Sequence, residues 1–235
     1  VILDEVDSTL DEAARRAPEL TAPCWILAHV QTAARGRRGR SWAMPRGNFA
    51  ATMVLPDPAP ARHAALRSFV MALALYDTCV AVTGRHDAFT LKWPNDVLLN
   101  GGKLAGILLE NPGGRLSIGV GVNLVEAPGG DEVEAGALRP VALASETGAL
   151  VLPEEFLDTL AVTYAGWEAR FVAEGFAPIR DAWLSQAARL GETLTAKLPR
   201  EEITGVFETL DSDGQLILRT PQGQRAIAAG DIFFG

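Results

Sequence analysis

From residue 89 onward the sequence alternates short apolar runs with turn residues, and no other stretch limits the possible folds so tightly. Runs at 89–93, 97–99, 104–110 and 116–124 are separated by Asn100-Gly101-Gly102 and by Asn111-Pro112-Gly113-Gly114. Asn-Gly and Pro-Gly steps supply the positive φ of tight reversals, and runs of this length suit strands rather than helices. Strands joined by such short links pair antiparallel, so a four-stranded meander is expected here.

Around this meander the pattern is mixed. Residues 1–6 read as a strand, and Ser8 or Thr9 then offers a helix N-cap, with Thr9 and Glu12 at capping-box spacing and Pro18 as the stop. Residues 24–30 and 48–55 read as strands, the second closed by Pro56, Pro58 and Pro60. The apolar stretch 64–82 carries Arg67 and Asp77 and is expected to be a buried amphipathic helix rather than a membrane span. After a Gly- and acid-rich loop at 126–136, helices are expected over 140–147, 153–174 and 177–188. Phe156, Leu160, Tyr164, Trp167 and Phe171 recur at spacings of three and four, which marks a core stripe rather than a cofactor box. Beyond Gly191 the helical period vanishes, and runs at 193–196, 204–210, 215–219 and 225–228 read as strands of a small β-barrel. About 45 residues are marginal for independent stability, so this unit is expected to pack on its neighbour. The division is thus 1–190 and 191–235.

Composition narrows the function. The 235 residues are 48% hydrophobic and carry a net charge of −8, so a broad electrostatic grip on nucleic acid or an anionic membrane is disfavoured. Cys24 and Cys79 lie far apart in apolar surroundings and read as buried thiols of a reducing compartment, with the cytoplasm as the expected location. His29, His63 and His86 are scattered, so no metal cage of protein ligands is expected, although magnesium can arrive with a phosphate substrate.

Against this acidic background, residues 31–47 read Q-T-A-A-R-G-R-R-G-R-S-W-A-M-P-R-G and gather Arg35, Arg37, Arg38, Arg40 and Arg46. Guanidinium groups fork two donors toward carboxylate or phosphate, and interleaved glycines let backbone N–H groups approach the same anion, so the segment reads as an anion clamp. Trp42 either stacks on a purine or staples the loop to the core. The chain has three lysines against eighteen arginines, and two of the three, Lys92 and Lys103, fall in one segment. Lys92 is either a functional point charge or a snorkelling strand-end residue, whereas Lys103, beside a turn, reads as the latter. Gly101-Gly102-Lys103 is not a phosphate-binding P-loop, because Leu104 stands where a Ser or Thr is required. Gly119-Val120-Gly121 lacks the third glycine of a dinucleotide fingerprint, and its glycines instead permit close approach on a strand.

Four landmarks together resemble the biotin–protein ligases: D-S-T at 7–9, Q-T-A-A-R-G-R-R-G-R-S-W at 31–42, K-W-P-N-D with K-L-A-G-I-L at 92–108, and I-G-V-G-V-N at 118–123. The C-terminal G-V-F-E-T-L-D-S-D-G-Q-L-I-L-R and A-A-G-D-I-F-F resemble the small barrel that ends such ligases. The resemblance implies an α+β catalytic domain with a mixed sheet, similar to class II aminoacyl-tRNA synthetases. It implies that biotin and Mg-ATP form biotinyl-5′-adenylate and pyrophosphate, and that biotin then passes to a lysine of a biotin carboxyl carrier domain. Carried over residue by residue, it places Ser8, Thr9, Gln31, Arg35, Gly36, Arg37, Lys92 and Gly106 at biotin. It places Arg35, Arg37, Arg40, Trp42, Lys92, Asn95 and Asn123 at ATP or the adenylate, with Arg37 and Lys92 catalytic and the Arg–Gly loop closing as a lid. Asp96 is either a catalytic carboxylate or a residue that orients Lys92.

Two positions depart from the family pattern: Leu10 where Asn is common, and Ala34 where Gly is common. Because the chain begins at the catalytic domain, no DNA-binding role is expected; a monomer or homodimer is expected, and an upstream residue or two is missing if the first Val follows a lost Met. A lipoate–protein ligase shares the scaffold but fits the R-G-R-R-G-R and K-W-P-N-D motifs less well. An RNA-binding module using the Arg–Gly loop is the alternative outside enzymology, and the net charge disfavours it.

Overall fold

The computed structural model describes residues 1–56, 61–111, 114–129 and 138–234. Seven strands form the main sheet: β1 (Ile2–Val6), β2 (Cys24–Gln31), β3 (Phe49–Leu55), β4 (Phe89–Lys92), β5 (Asp96–Leu99), β6 (Gly102–Glu110) and β7 (Leu116–Val122). Their spatial order is β1-β2-β3-β7-β6-β5-β4. Strands β4 to β7 are the expected antiparallel meander, and β1 beside β2 is parallel, so the sheet is mixed.

Alternation in the sequence assigns the two faces of this sheet. Ile118, Val120 and Val122 on β7 enter the main core, whereas Gly119 and Gly121 between them lie on the opposite face. On β3, Phe49 packs against Phe156 with ring centroids 5.0 Å apart, while Thr52, on the other face, bonds to Thr9. The core face is covered by helices α3 (Arg67–Thr83) and α5 (Pro153–Glu174), and the other by α1 (Thr9–Arg16). Burying an aromatic such as Phe156 contributes about 2–3 kcal/mol.

The stripe of α5 is as the period implies: Phe156, Leu160, Tyr164 and Phe171 are buried, and Trp167 is partly so. Its N-terminus is set by Pro153 and by Glu155, which accepts from the Leu152 backbone N–H at 3.4 Å. Helix α3 is buried on most of its circumference rather than amphipathic, because it lies between the sheet and helices α5 and α6 (Phe176–Ser185). Short helices α2 (Ala61–Ala64) and α4 (Leu143–Thr147) complete the set; α4 begins three residues later than expected, since 140–142 are extended.

Residues 193–234 form a second, antiparallel sheet from β8 (Thr193–Lys197), β9 (Glu202–Leu210), β10 (Leu216–Thr220), β11 (Gly223–Ile227) and β12 (Asp231–Phe234), ordered β11-β10-β9-β8-β12. The expected barrel thus has the form of a five-stranded sheet whose terminal strands are β11 and β12. Strand β12 was not legible from periodicity. This unit does pack on its neighbour: Gly214, in a turn at φ 76°, sits against Phe69 and Leu66, and its carbonyl accepts from Trp93 Nε1 at 2.9 Å.

Two smaller expectations change. Ser8, not Thr9, is the N-cap of α1: its Oγ accepts from Leu10 N at 3.2 Å, worth about 1 kcal/mol, so Thr9 and Glu12 form no capping box. Cys24 is only half-buried, because it opens β2 at the sheet's rim, whereas Cys79 is fully buried and burial pushes its thiol up to about 12. Pro58, Pro60, Pro112, Gly113 and residues 130–136 of the acid-rich loop lie outside the described residues. Among the described residues no helix is long and apolar enough to cross a membrane.

Candidate active site

One cavity of about 650 Å³ opens on the α1 side of the main sheet. It is walled by the N-terminus of α1, the end of β2, the Arg–Gly loop, the K-W-P-N-D turn, the inner parts of β6 and β7, and β12 of the second sheet. The residues that the resemblance places at biotin or ATP all line it: Ser8, Thr9, Gln31, Arg35, Gly36, Arg37, Arg40, Trp42, Lys92, Asn95, Gly106 and Asn123, whereas Arg38 of the Arg–Gly cluster does not. Sequence positions separated by more than 100 residues converge because β2, β3, β7 and β6 are adjacent in the sheet.

One end of the cavity is polar and uncharged. Thr9 N and Thr9 Oγ1 both donate to Gln31 Oε1, at 2.7 and 3.1 Å, and Ser8 and Thr9 are buried. Leu10 fills the space in front of Gly119, where an added Cβ would stand 2.9 Å from Leu10 Cδ1. The Asn-to-Leu departure therefore substitutes an apolar wall for a polar one.

The Arg–Gly loop is a small hairpin. Trp42 N donates to Ala34 O at 3.0 Å and Gly36 N to Arg40 O at 2.8 Å, and Arg38 and Gly39 at its tip take successive left-handed φ of 58° and 73°. This changes two expectations. The Gly36 N–H is used within the hairpin rather than offered to an anion, and the Arg35 guanidinium is held by Asp11 at 2.6 and 2.8 Å and by Glu110 at 3.1 and 3.2 Å. Those carboxylates raise the Arg35 pKa, and its charge cross-links α1 to β6. Arg38 and Arg40 converge on Asp231 Oδ2 at 2.5 and 2.7 Å, tying the hairpin to β12. Arg46 does not line the cavity.

Arg37 differs from its neighbours. Its Nη1 donates to Asn95 Oδ1 at 3.4 Å, and burial lowers its pKa, opposed by the more distant Asp231 and Asp96. A guanidinium keeps its proton in spite of such burial, so the result is a concentrated positive charge at the cavity. Asn95 is held by its Nδ2, which donates to Ile107 O at 2.7 Å, so its side chain steadies Arg37.

Lys92 and Lys103 flank Asp96. Lys92 Nζ lies 3.9 Å from Asp96 Oδ2, and Lys103 Nζ lies 2.7 Å from Oδ1, a charge contact off the hydrogen-bond direction. Burial lowers the Lys92 pKa, with Asp96 opposing. Lys103, which its turn-side position marks as a snorkelling residue, instead lines the cavity beside the Trp42 ring, 5.8 Å from its centroid. Its one-residue offset across a bulge between β5 and β6 turns it inward, which spacing alone does not reveal. Asp231 and Phe234, from the C-terminal A-A-G-D-I-F-F segment, are further cavity residues that the motif does not mark as site candidates; Phe234 lies beneath the Lys92 ammonium at 5.6 Å.

Trp42 lies across β7 and β6. A Cβ on Gly121 would come within 2.7 Å of Trp42 Cε2 and Nε1, and one on Gly106 within 3.4 Å of Cζ3. The two bare backbones give the indole its seat, so Trp42 does staple the loop and also forms a cavity wall. Two buried polar atoms in this region have no partner among the described residues: Trp42 Nε1 and Asn123 Oδ1. Asn123 Nδ2 donates to Val141 O at 3.1 Å, which fixes the amide with its oxygen unsatisfied. Orphaned buried groups cost about 1–3 kcal/mol each. Among the described residues no group of three or more His, Cys, Asp or Glu could hold a metal ion.

Comparison with known proteins gives the same direction. Residues 2–124 match the model of the biotin/lipoate A/B protein ligase family, and residues 190–235 that of the biotin protein ligase C-terminal domain. The biotin–[acetyl-CoA-carboxylase] ligase of Paracoccus denitrificans is 52% identical, with 100% of both chains covered. The bifunctional ligase/repressor BirA of Bacillus subtilis is 28% identical over 100% of this chain and 72% of its own. Among solved structures, the biotin protein ligase of Aquifex aeolicus in complex with biotin and ATP superimposes with a TM-score of 0.87 at 26% identity, covering 99% of this chain and 96% of that one. The chain therefore belongs to the biotin/lipoate A/B protein ligase family.

Proposed function

We propose that this chain is an ATP-dependent biotin–protein ligase acting on a biotin carboxyl carrier domain. The observation that carries this is the convergence of three kinds of chemistry in one cavity: neutral hydrogen-bonding groups at Ser8, Thr9 and Gln31, cations at Arg37, Lys92 and Lys103, and the indole of Trp42 with the Asn123 amide. A cyclic urea suits the first, a carboxylate meeting a phosphate the second, and a purine the third.

In the first step a biotin carboxylate oxygen attacks the α-phosphorus of ATP, the bond to the β-phosphate oxygen breaks, and pyrophosphate leaves. Two anions must approach, so fixed positive charge is required where charge accumulates on the phosphoryl oxygens. The half-buried cations of the cavity, Arg37 and Lys92, with Lys103 on the far side of Asp96, meet that requirement. Magnesium arrives with the triphosphate. In the second step the neutral carrier lysine amine attacks the acyl carbon of biotinyl-5′-adenylate and gives up a proton to solvent, the C–O bond to the phosphate breaks, an amide forms, and AMP leaves with that bond's electron pair. The hairpin, held down through Asp231, excludes water from the mixed anhydride between the steps.

The Paracoccus denitrificans relative named for this activity supports the choice of biotin over lipoate. Biotin-dependent exchange of labelled pyrophosphate into ATP tests it; exchange supported by lipoate and not by biotin overturns it.

A further inference from the structure

Strand β3 reads Phe-Ala-Ala-Thr-Met-Val-Leu, and Thr52 is its one polar residue, fully buried and outside the cavity lining. Valine would fill the same volume without a hydroxyl to desolvate. The Thr52 hydroxyl lies 2.9 Å from Thr9 Oγ1, which in turn lies 3.1 Å from Gln31 Oε1.

The direction of every proton in this chain follows from one backbone group. The Thr9 backbone N–H, which can only donate, reaches the Gln31 side chain at 2.7 Å, so the amide atom there is oxygen. The Thr9 hydroxyl must then donate its single proton to that same oxygen. Its own oxygen is left as an acceptor, and Thr52 has to be the donor to it. Three consequences reach the cavity: Thr9 Oγ1 presents a remaining lone pair, Gln31 presents its NH₂, and Ser8, whose Oγ already accepts from Leu10 N, has its proton to give. An acceptor beside donors complements a ring that carries N–H next to C=O.

We propose that Thr52 is a positioning residue for the ureido ring: by donating to Thr9 Oγ1 from beneath, it fixes the donor and acceptor order of the cavity's neutral end. This rests on the biotin–protein ligase function proposed above. Thr52 acts only through Thr9, and it contributes to recognition of the ring and not of ATP.

The experiment measures biotin binding by titration calorimetry, and both KM values by pyrophosphate exchange, for the unsubstituted chain, Thr52→Val and Thr52→Ser. Thr52→Val is expected to weaken biotin binding about fivefold, the effect of losing one neutral hydrogen bond. The KM for ATP should stay within about twofold and Thr52→Ser should recover affinity to within about twofold, a split that general loss of folding does not produce. In a Thr9→Val background Thr52→Val should add nothing. Thr52→Ala carries the same expectations and replaces the valine variant if that does not fold. Unchanged biotin affinity in Thr52→Val, an equal rise in both KM values, or additivity with Thr9→Val overturns the role of Thr52. Failure of the unsubstituted chain to bind biotin overturns instead the function on which it rests.

Discussion

Gly119 and Gly121 stand two residues apart on the same face of β7, yet they should report on different substrates. A methyl group at Gly121 meets the rigid indole of Trp42, with Cε2 and Nε1 at 2.7 Å and Cζ2 at 3.0 Å. Ring atoms cannot rotate out of the way, so Gly121→Ala must push the whole indole, and with it the hairpin that carries it, off its seat. Overpacking of this kind costs about 1–3 kcal/mol. Because Trp42 is only partly buried, that cost is expected in ligand affinity more than in folding, as a rise in the KM for ATP of about fivefold to 150-fold. At Gly119 the methyl group meets the end of Leu10, with Cδ1 at 2.9 Å, Cγ at 3.0 Å and Cδ2 at 3.2 Å. That side chain can change rotamer, so Gly119→Ala should cost only about 1 kcal/mol, and on the biotin side: about a fivefold rise in the KM for biotin. Pyrophosphate exchange with each substrate varied in turn separates the two. If both variants raise the same KM, or if Gly121→Ala leaves ATP untouched, the assignment of Trp42 to the nucleotide end is wrong.

Other consequences can be checked one at a time. Asp231→Asn removes the carboxylate that Arg38 and Arg40 share, and should loosen the hairpin; release of adenylate from the enzyme should quicken several-fold, and release at the unsubstituted rate argues against the tie. Lys92 titrates below the ordinary lysine range because burial disfavours its charge. Its burial thus costs stability below the folded pKa, and the cost is relieved as pH rises from that value toward the unfolded one. If the ammonium serves the phosphoryl step, kcat/KM for exchange should fall over the same rise, and Lys92→Arg should move that alkaline limb upward; an unmoved limb excludes Lys92 as its source. Glu168 accepts from Arg67 Nε at 2.8 Å and lies 2.7 Å from its Nη2, deep between α3 and α5. Glu168→Leu should therefore lower stability by about 3 kcal/mol in urea denaturation with exchange activity per folded molecule retained; a change under about 1 kcal/mol would show that the pair is dispensable.

The sequence carried the fold where period and punctuation agreed. The meander was legible because Asn-Gly and Pro-Gly steps cut it at strand length, and α5 because its aromatics kept a single helical stripe. Strand β12 carried no such signal: its four residues alternate too briefly, and its place is decided by pairing with β8. That the candidate residues share one cavity was legible through motif order, but their individual surroundings were not. Arg35 and Arg37 look alike in the sequence, and only tertiary structure shows one held between Asp11 and Glu110 while the other is half-buried beside Asn95. Lys103 faces the cavity because of a bulge that is invisible to periodicity. The roles of Asp231 and Thr52 are not legible locally, because they lie in partners nearly 200 and about 40 positions away.

The most direct test is exchange of labelled pyrophosphate into ATP by the purified chain, with biotin, lipoate or neither present. Exchange should occur with biotin alone and fall sharply in Arg37→Gly, whose cation is the one most deeply placed in the hairpin. Exchange that needs lipoate instead, or none with either acid, would contradict the assignment of this cavity to biotin activation.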